Sequence, residues 1–124
     1  MAEIRTAFRQ ELEDMERTLL GVADKAEQMV QKAVEAFTTG DLDRAEEVIA
    51  ADESIDETYL DIHNRWMNLM ARQQPLAGDL RLMSMLLHVY TTLERMGDQT
   101  VNIAKLTRAT DGLPRVDAIV ERLQ

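Results

Sequence analysis

The chain has 124 residues, 45% hydrophobic but only 4% aromatic, with a formal net charge of −9, which suits one domain around one core. It has no cysteine, which excludes disulfides, thiolate metal sites and a cysteine nucleophile. The acidic balance and the lack of any Lys/Arg cluster argue against nucleic acid as a partner, and a negative surface suits cations or a basic protein patch.

No run of 18 apolar residues exists, so no membrane span is predicted. The N-terminus has no basic region followed by an apolar run, so no signal peptide is predicted, and a soluble cytoplasmic protein is expected. Abundant Ala, Leu and Met with two prolines favour helix, and no stretch alternates as a half-buried strand would.

The first predicted helix covers 3–38. Its apolar line is Ile4, Phe8, Leu12, Met15, Leu19, Val22, Ala26, Met29, Ala33 and Phe37, in steps of four and three that alternate from Phe8 to Ala33 and match the 3.5-residue seam of bundled helices. Gly40 suits the left-handed position after that helix, and Asp41 suits the N-cap of the next.

A second helix is predicted over 42–72, with a seam of Ala45, Val48/Ile49, Asp52, Ile55, Tyr59, Ile62, Trp66 and Leu69/Met70. Asp52 interrupts an otherwise apolar line. Gln73-Gln74-Pro75 breaks the helix, Pro75 suits the first position of a third, and Asp79 sits near its positive end.

The third helix is predicted over 75–110. Its seam is Leu76, Leu80, Met83, Leu86/Leu87, Tyr90, Leu93, Gly97, Val101 and Ala104. Gly97 in mid-helix costs about 1 kcal/mol relative to Ala and lets a neighbouring group come close. Asp111-Gly112-Leu113-Pro114 ends this helix, and Ala118, Ile119, Val120 and Leu123 read as the first turns of a fourth. The expected fold is all-α: an elongated antiparallel three-helix bundle over 1–110, then a linker and the start of a further helix over 111–124. The apolar surface left by so short a fourth helix predicts dimerisation or docking on a second half.

Polar groups recur every four residues at Glu94, Asp98 and Asn102, which stacks them along one stripe of the third helix. The second helix carries a matching pair, Asp52 and Asp56. In an antiparallel hairpin turning near Pro75, residues at one level have numbers summing to roughly 150. Asp56 then faces Glu94 and Asp52 faces Asp98, across an interaxial distance of about 8–10 Å. Four facing carboxylates are unfavourable without a positive charge between them. All-oxygen donors suit Mg, Mn or Fe, and also Zn. Neither His63 nor His88 follows a Glu by three residues, so the Glu-x-x-His pattern of di-iron bundles is absent. By the same arithmetic about Gly40, Asp24 and Glu27 of the first helix fall near the site.

Other readings stay open. Asp52 on a seam can be a polar residue that fixes register. Arg95 can pair with Asp98 at i+3, and Arg44, Arg65 or Arg81 can neutralise other carboxylates. Arg81, beside Leu80 and Leu82, also suits capping or snorkelling.

Four stretches together carry a family resemblance. They are Phe8-Arg9-Gln10-Glu11-Leu12; Val48 to Asp56; Gln73-Gln74-Pro75-Leu76-Ala77-Gly78-Asp79-Leu80-Arg81; and Leu93-Glu94-Arg95-Met96-Gly97-Asp98 followed by Asn102-Ile103-Ala104. In this order they resemble the PhoU family of phosphate-signalling regulators, over roughly 4–110. Such proteins usually hold two three-helix repeats, and this chain is similar to the first repeat plus the opening of the second.

The resemblance implies a non-enzymatic regulator that represses phosphate uptake and the phosphate-starvation response. It implies as partners a phosphate ABC transporter and a sensor histidine kinase at the inner face of the membrane. Some members bind iron or zinc clusters through acidic motifs, which by position implies Glu94, Asp98, Asp52 and Asp56 as metal ligands with Asn102 alongside. The chain departs from the family pattern at Lys105, and at Thr91 and Thr92, where acidic residues are common. These changes bear on the nuclearity and affinity of any metal cluster.

Three functions compete on these residues: a metal-binding adaptor, a helical interaction bundle whose acidic face docks a basic partner without metal, and an enzyme using paired carboxylates. The last has no Gly-rich phosphate loop and no nucleophile to support it.

Overall fold

The structure, a computed structural model, describes residues 2–72, 77–114 and 117–124, and the side chains of all of these but residues 2–4, 77 and 118. The elements run α1 (Ala2–Thr39), α2 (Leu42–Arg72), α3 (Ala77–Ala109) and α4 (Asp117–Leu123), with no strand among the described residues. Each long helix packs on the other two, and α4 touches α1. At 1.5 Å per residue the long helices span roughly 46–57 Å, so the bundle is elongated. The expectations for Pro75 and for the Leu76 seam position lie outside the described residues, as do those for the Ile4 and Ala118 side chains.

The α1–α2 joint is built from two residues. Gly40 takes φ 71°, a conformation open to glycine. The Asp41 amide donates to the Ala36 carbonyl at 3.0 Å, while the Asp41 carboxylate accepts from the Arg44 amide at 3.1 Å and caps α2.

The core follows the predicted lines with three departures. On α1 the burial runs Phe8, Leu12, Met15, Leu19, Val22, Ala26, Met29, Ala33 and then Ala36, leaving Phe37 half-buried. The burial keeps the alternation of four and three to its end, which puts Ala36 on the seam; Phe37 lies one residue off it. On α3, Leu80 is exposed and Asp79 is buried at 6% exposure in its stead. Arg5 reaches Asp79 at 3.2 Å and Arg9 at 3.9 Å, so α1 supplies the charges that admit a carboxylate there. Further along, Thr100 and Thr107 are buried. Their hydroxyls donate back to the Met96 carbonyl at 2.7 Å and the Ile103 carbonyl at 3.4 Å, which satisfies them within the helix.

The α2–α3 hairpin is fastened by a side chain. Trp66 Nε1 donates to the Met83 carbonyl at 2.9 Å. The two numbers sum to 149, close to the level rule, so the helices are antiparallel in the expected register.

Candidate functional site

Gly97 of α3 sets how close the acidic residues of α2 come. It is buried, and the Asp52 Oδ1 lies 3.2 Å from the point a Cβ at residue 97 would occupy. The glycine is the notch that receives the Asp52 carboxylate, and Asp98 follows it directly. The expected pairing of Asp52 with this level of α3 is what the structure shows.

Asp52 and Glu94 are half-buried, whereas Asp56, Asp98 and Asn102 are exposed. Burial pushes the Asp52 carboxyl above its ordinary range, helped by the negative charges of Asp56, Asp98 and Glu53; Lys105 opposes this. Asp56 is also raised, first by partial removal of its carboxyl from water and then by Asp98 and Glu53, although the residue as a whole is exposed. Burial, then the negative charge of Glu94 beside it, pushes the Tyr90 phenol up as well.

The alternative cations do not reach these carboxylates. Arg44 pairs with Glu35 and Asp41, and Arg65 pairs with Asp61 at 3.9 Å. Among the described residues no ion pair joins Arg81, Arg95 or Lys105 to Asp52, Asp56, Glu94 or Asp98. Arg95 turns instead toward α1, where it lines a shallow apolar groove with Val30, Met96 and Ile103. Arg81 is exposed. Asp24 and Glu27 stand exposed on α1, and their charges are not among those that act on Asp52 or Asp56.

Among the described residues, no three acidic or histidine side chains converge on a point where an ion could sit as they stand. The donors are all oxygen, with Asp52 half-buried against Gly97 of α3 and Asp56, Asp98 and Asn102 exposed, so as they stand they form no closed cation site.

Sequence reasoning missed the part of the two tyrosines. Tyr59 and Tyr90 stand edge-on, with centroids 5.4 Å apart and ring planes at 86°. The Tyr59 hydroxyl is buried with no hydrogen-bond partner among the described residues. Burial, then the charges of Asp52, Glu94 and Asp56, push it well above its ordinary value, so it stays a neutral donor. Its spacing of seven from Asp52 and three from Asp56 was the available signal, since those steps share a helix face.

The family model described as PhoU domain matches residues 19–107. The chain is 38% identical over 95 residues to a protein of Aquifex aeolicus named phosphate-specific transport system accessory protein PhoU homolog, covering 77% of this chain and 43% of that protein. Homologs of the same name match from Clostridium acetobutylicum, 35% identical over 94% of this chain and 54% of theirs, and from Rhizobium meliloti, 35% identical over 92% and 49%. The chain thus spans about half the length of the curated relatives it matches. No solved structure matches it. Among the described residues no helix is long and apolar enough to cross a membrane.

Proposed function

The chain belongs to the PhoU domain family, and we propose from that membership that it is a non-enzymatic cytoplasmic regulator of phosphate uptake and phosphate-starvation signalling. The observation that carries the reading is the kinship at 35% identity, over 94% of this chain, with a protein named as an accessory of phosphate-specific transport. In this reading the bundle is an adaptor between a phosphate ABC transporter and a sensor histidine kinase, working peripherally at the inner membrane. Deleting its gene in the source organism should raise phosphate-starvation gene expression in phosphate-replete medium. Unchanged expression and unchanged phosphate uptake would sink the proposal.

The second part of the proposal is that Asp52, Asp56, Glu94 and Asp98, with Asn102 alongside, hold a metal ion, one of Mg, Mn, Fe or Zn. Such an ion would supply the positive charge these carboxylates lack and join α2 to α3. Elemental analysis and melts with each of the four ions should show binding that Asp98→Ala abolishes. A melting point indifferent to all four counts against it.

One observation favours a second reading. No three candidate ligands converge among the described residues, as suits a stripe that docks a basic partner without metal. Partner binding through that stripe should weaken steeply with salt, whereas a chelated ion should not.

Self-association belongs to the same proposal. Leu80, Met85, Val89, Met96 and Leu106 of α3 are exposed, and pairing of two copies would cover them. Sedimentation at rising concentration should show a dimer, and a monomer throughout excludes it.

A further inference from the structure

The third helix carries two seams. One faces the core through Leu86, Leu93, Thr100 and Ala104. The other runs one residue earlier. Met85, Val89, Thr92, Met96, Gln99 and Ile103 recur in alternating steps of four and three, the 3.5-residue repeat of one helix packed along another. Met85, Val89 and Met96 are exposed, as are Thr92 and Gln99, and Ile103 is half-buried. Among the described residues no helix lies over this strip. Its middle is the open groove that Met96, Gln99 and Ile103 form with Val30 of α1, and α4 touches α1 alone.

The two sides of the strip differ in charge. On the side away from α1 stand Arg81, His88 and Arg95, spaced by seven and all exposed. Neither arginine has an ion pair among the described residues. The other side is α1. Counting back from Val30 in the same steps of three and four gives Glu27, Ala23, Leu20 and Glu16, of which Leu20 and both glutamates are exposed. The helices α1 and α3 run parallel, since Arg5 meets Asp79 and Val30 lies at Thr100, pairs whose numbers differ by 74 and 70. Glu27 therefore stands within about one turn of the level of Arg95.

We propose that this face takes a second copy of the chain, with the two α3 helices parallel about a two-fold axis along the strip and Arg95 of each copy paired with Glu27 of the other. The proposal rests on the self-association reading above and adds to it the face, the direction and the charge pairs. A two-fold parallel to the helices carries the second copy's α1 to the side of α3 opposite its own, which brings glutamates to the Arg95 side. It also sets each strip residue against itself. Met85, Val89, Met96 and Ile103 then make apolar layers, and Gln99 meets Gln99, whose amides each donate and accept and so fix the register. Antiparallel pairing centred on the strip does worse on both counts. It brings the two Arg95 side chains together at the axis, and it sets Gln99 against Val89, which leaves a buried amide without a partner.

The chain has no cysteine, so single cysteines in the whole chain report the direction. Met85→Cys and Gln99→Cys are each oxidised mildly and compared with Glu57→Cys on the outer face of α2. The first two should each link to their own copy, and the third should not. An antiparallel pair has only one level at which a residue meets its own copy. The two positions are about 21 Å apart along the helix at 1.5 Å per residue, so that form cannot link both. By sedimentation, Arg95→Gln should weaken the dimer about threefold or more, where the antiparallel form would tighten. Arg95→Glu should weaken it further, and adding Glu27→Arg should restore it.

A dimer in which fewer than both strip cysteines link, or which tightens with Arg95→Gln, overturns this inference and leaves self-association standing. A wild-type chain that stays monomeric at every concentration overturns both.

Discussion

At the scale of single residues, the contact between Asp52 and Gly97 is the most informative. With Asp52 Oδ1 at 3.2 Å from the position of a Cβ, Gly97→Ala obliges the carboxylate to shift by a few tenths of an ångström. The end of a side chain can make that move, and the helix gains up to about 1 kcal/mol from losing a glycine. Gly97→Ala should therefore hold or raise the metal-free melting temperature and, on the proposed metal reading, weaken cation binding. A drop in stability with binding intact would contradict this.

Asp52 also sets a pH dependence. Its carboxyl is raised above the ordinary 3.8 in the fold, as is that of Asp56. Between that value and the raised one the folded state binds more protons than the unfolded, so these groups make stability fall as pH rises through the window. Asp52→Asn should be more stable than the wild type at neutral pH, and the advantage should vanish as the pH approaches the unfolded value. Urea midpoints across that range test it, and an advantage that grows on acidification refutes it.

At the scale of elements, α1 and α3 are joined near their N-termini by the Arg5 and Arg9 ties to Asp79. Asp79→Ala removes both and leaves the arginines half-solvated, so about 1–3 kcal/mol of stability should be lost in urea unfolding. Asp79→Asn, which keeps an oxygen acceptor, should lose less. The sequence could not foretell this tie. Arg5 and Asp79 are 74 residues apart, and Asp79 was accounted for locally by the start of α3.

Where the partner is set by one tight turn, the reading from sequence held. The rule of constant sums placed Asp52 within one residue of its α3 neighbour, and glycine with an aspartate cap ended α1 where the structure ends it. It failed for Phe37, where the larger apolar residue was preferred over Ala36, which continues the 3.5-residue repeat, and for Leu80, where a remote ion pair admits the polar Asp79 to the interior. The Tyr59 hydroxyl was hidden for another reason. A phenol on a seam is mostly hydrocarbon, and whether its oxygen finds a partner depends on neighbours from both helices.

At the scale of the whole molecule, 23 acidic residues against 14 basic make the fold repel itself. On the proposed metal reading, a cation bound only by the folded state would offset this, adding about 2.7 kcal/mol at a concentration one hundred times its dissociation constant. The metal-free protein should also gain from added salt, which screens the exposed pairs, and the loaded protein should gain less. Melts with and without ion over a salt series separate the two effects, and identical salt slopes would argue that the ion binds elsewhere.

Trp66 gives this last question an optical answer. It is the chain's single tryptophan, and its indole is tied to a backbone carbonyl of the facing helix. Excited at wavelengths beyond the absorption of Tyr59 and Tyr90, intrinsic emission from the protein therefore originates at one place, the seam between α2 and α3. The molecule carries its own gauge of whether that hairpin opens as a body or only its surface groups turn. A red shift on adding a ligand would register the seam opening to water, and a constant spectrum would mean that the hairpin stays shut while its carboxylates rearrange.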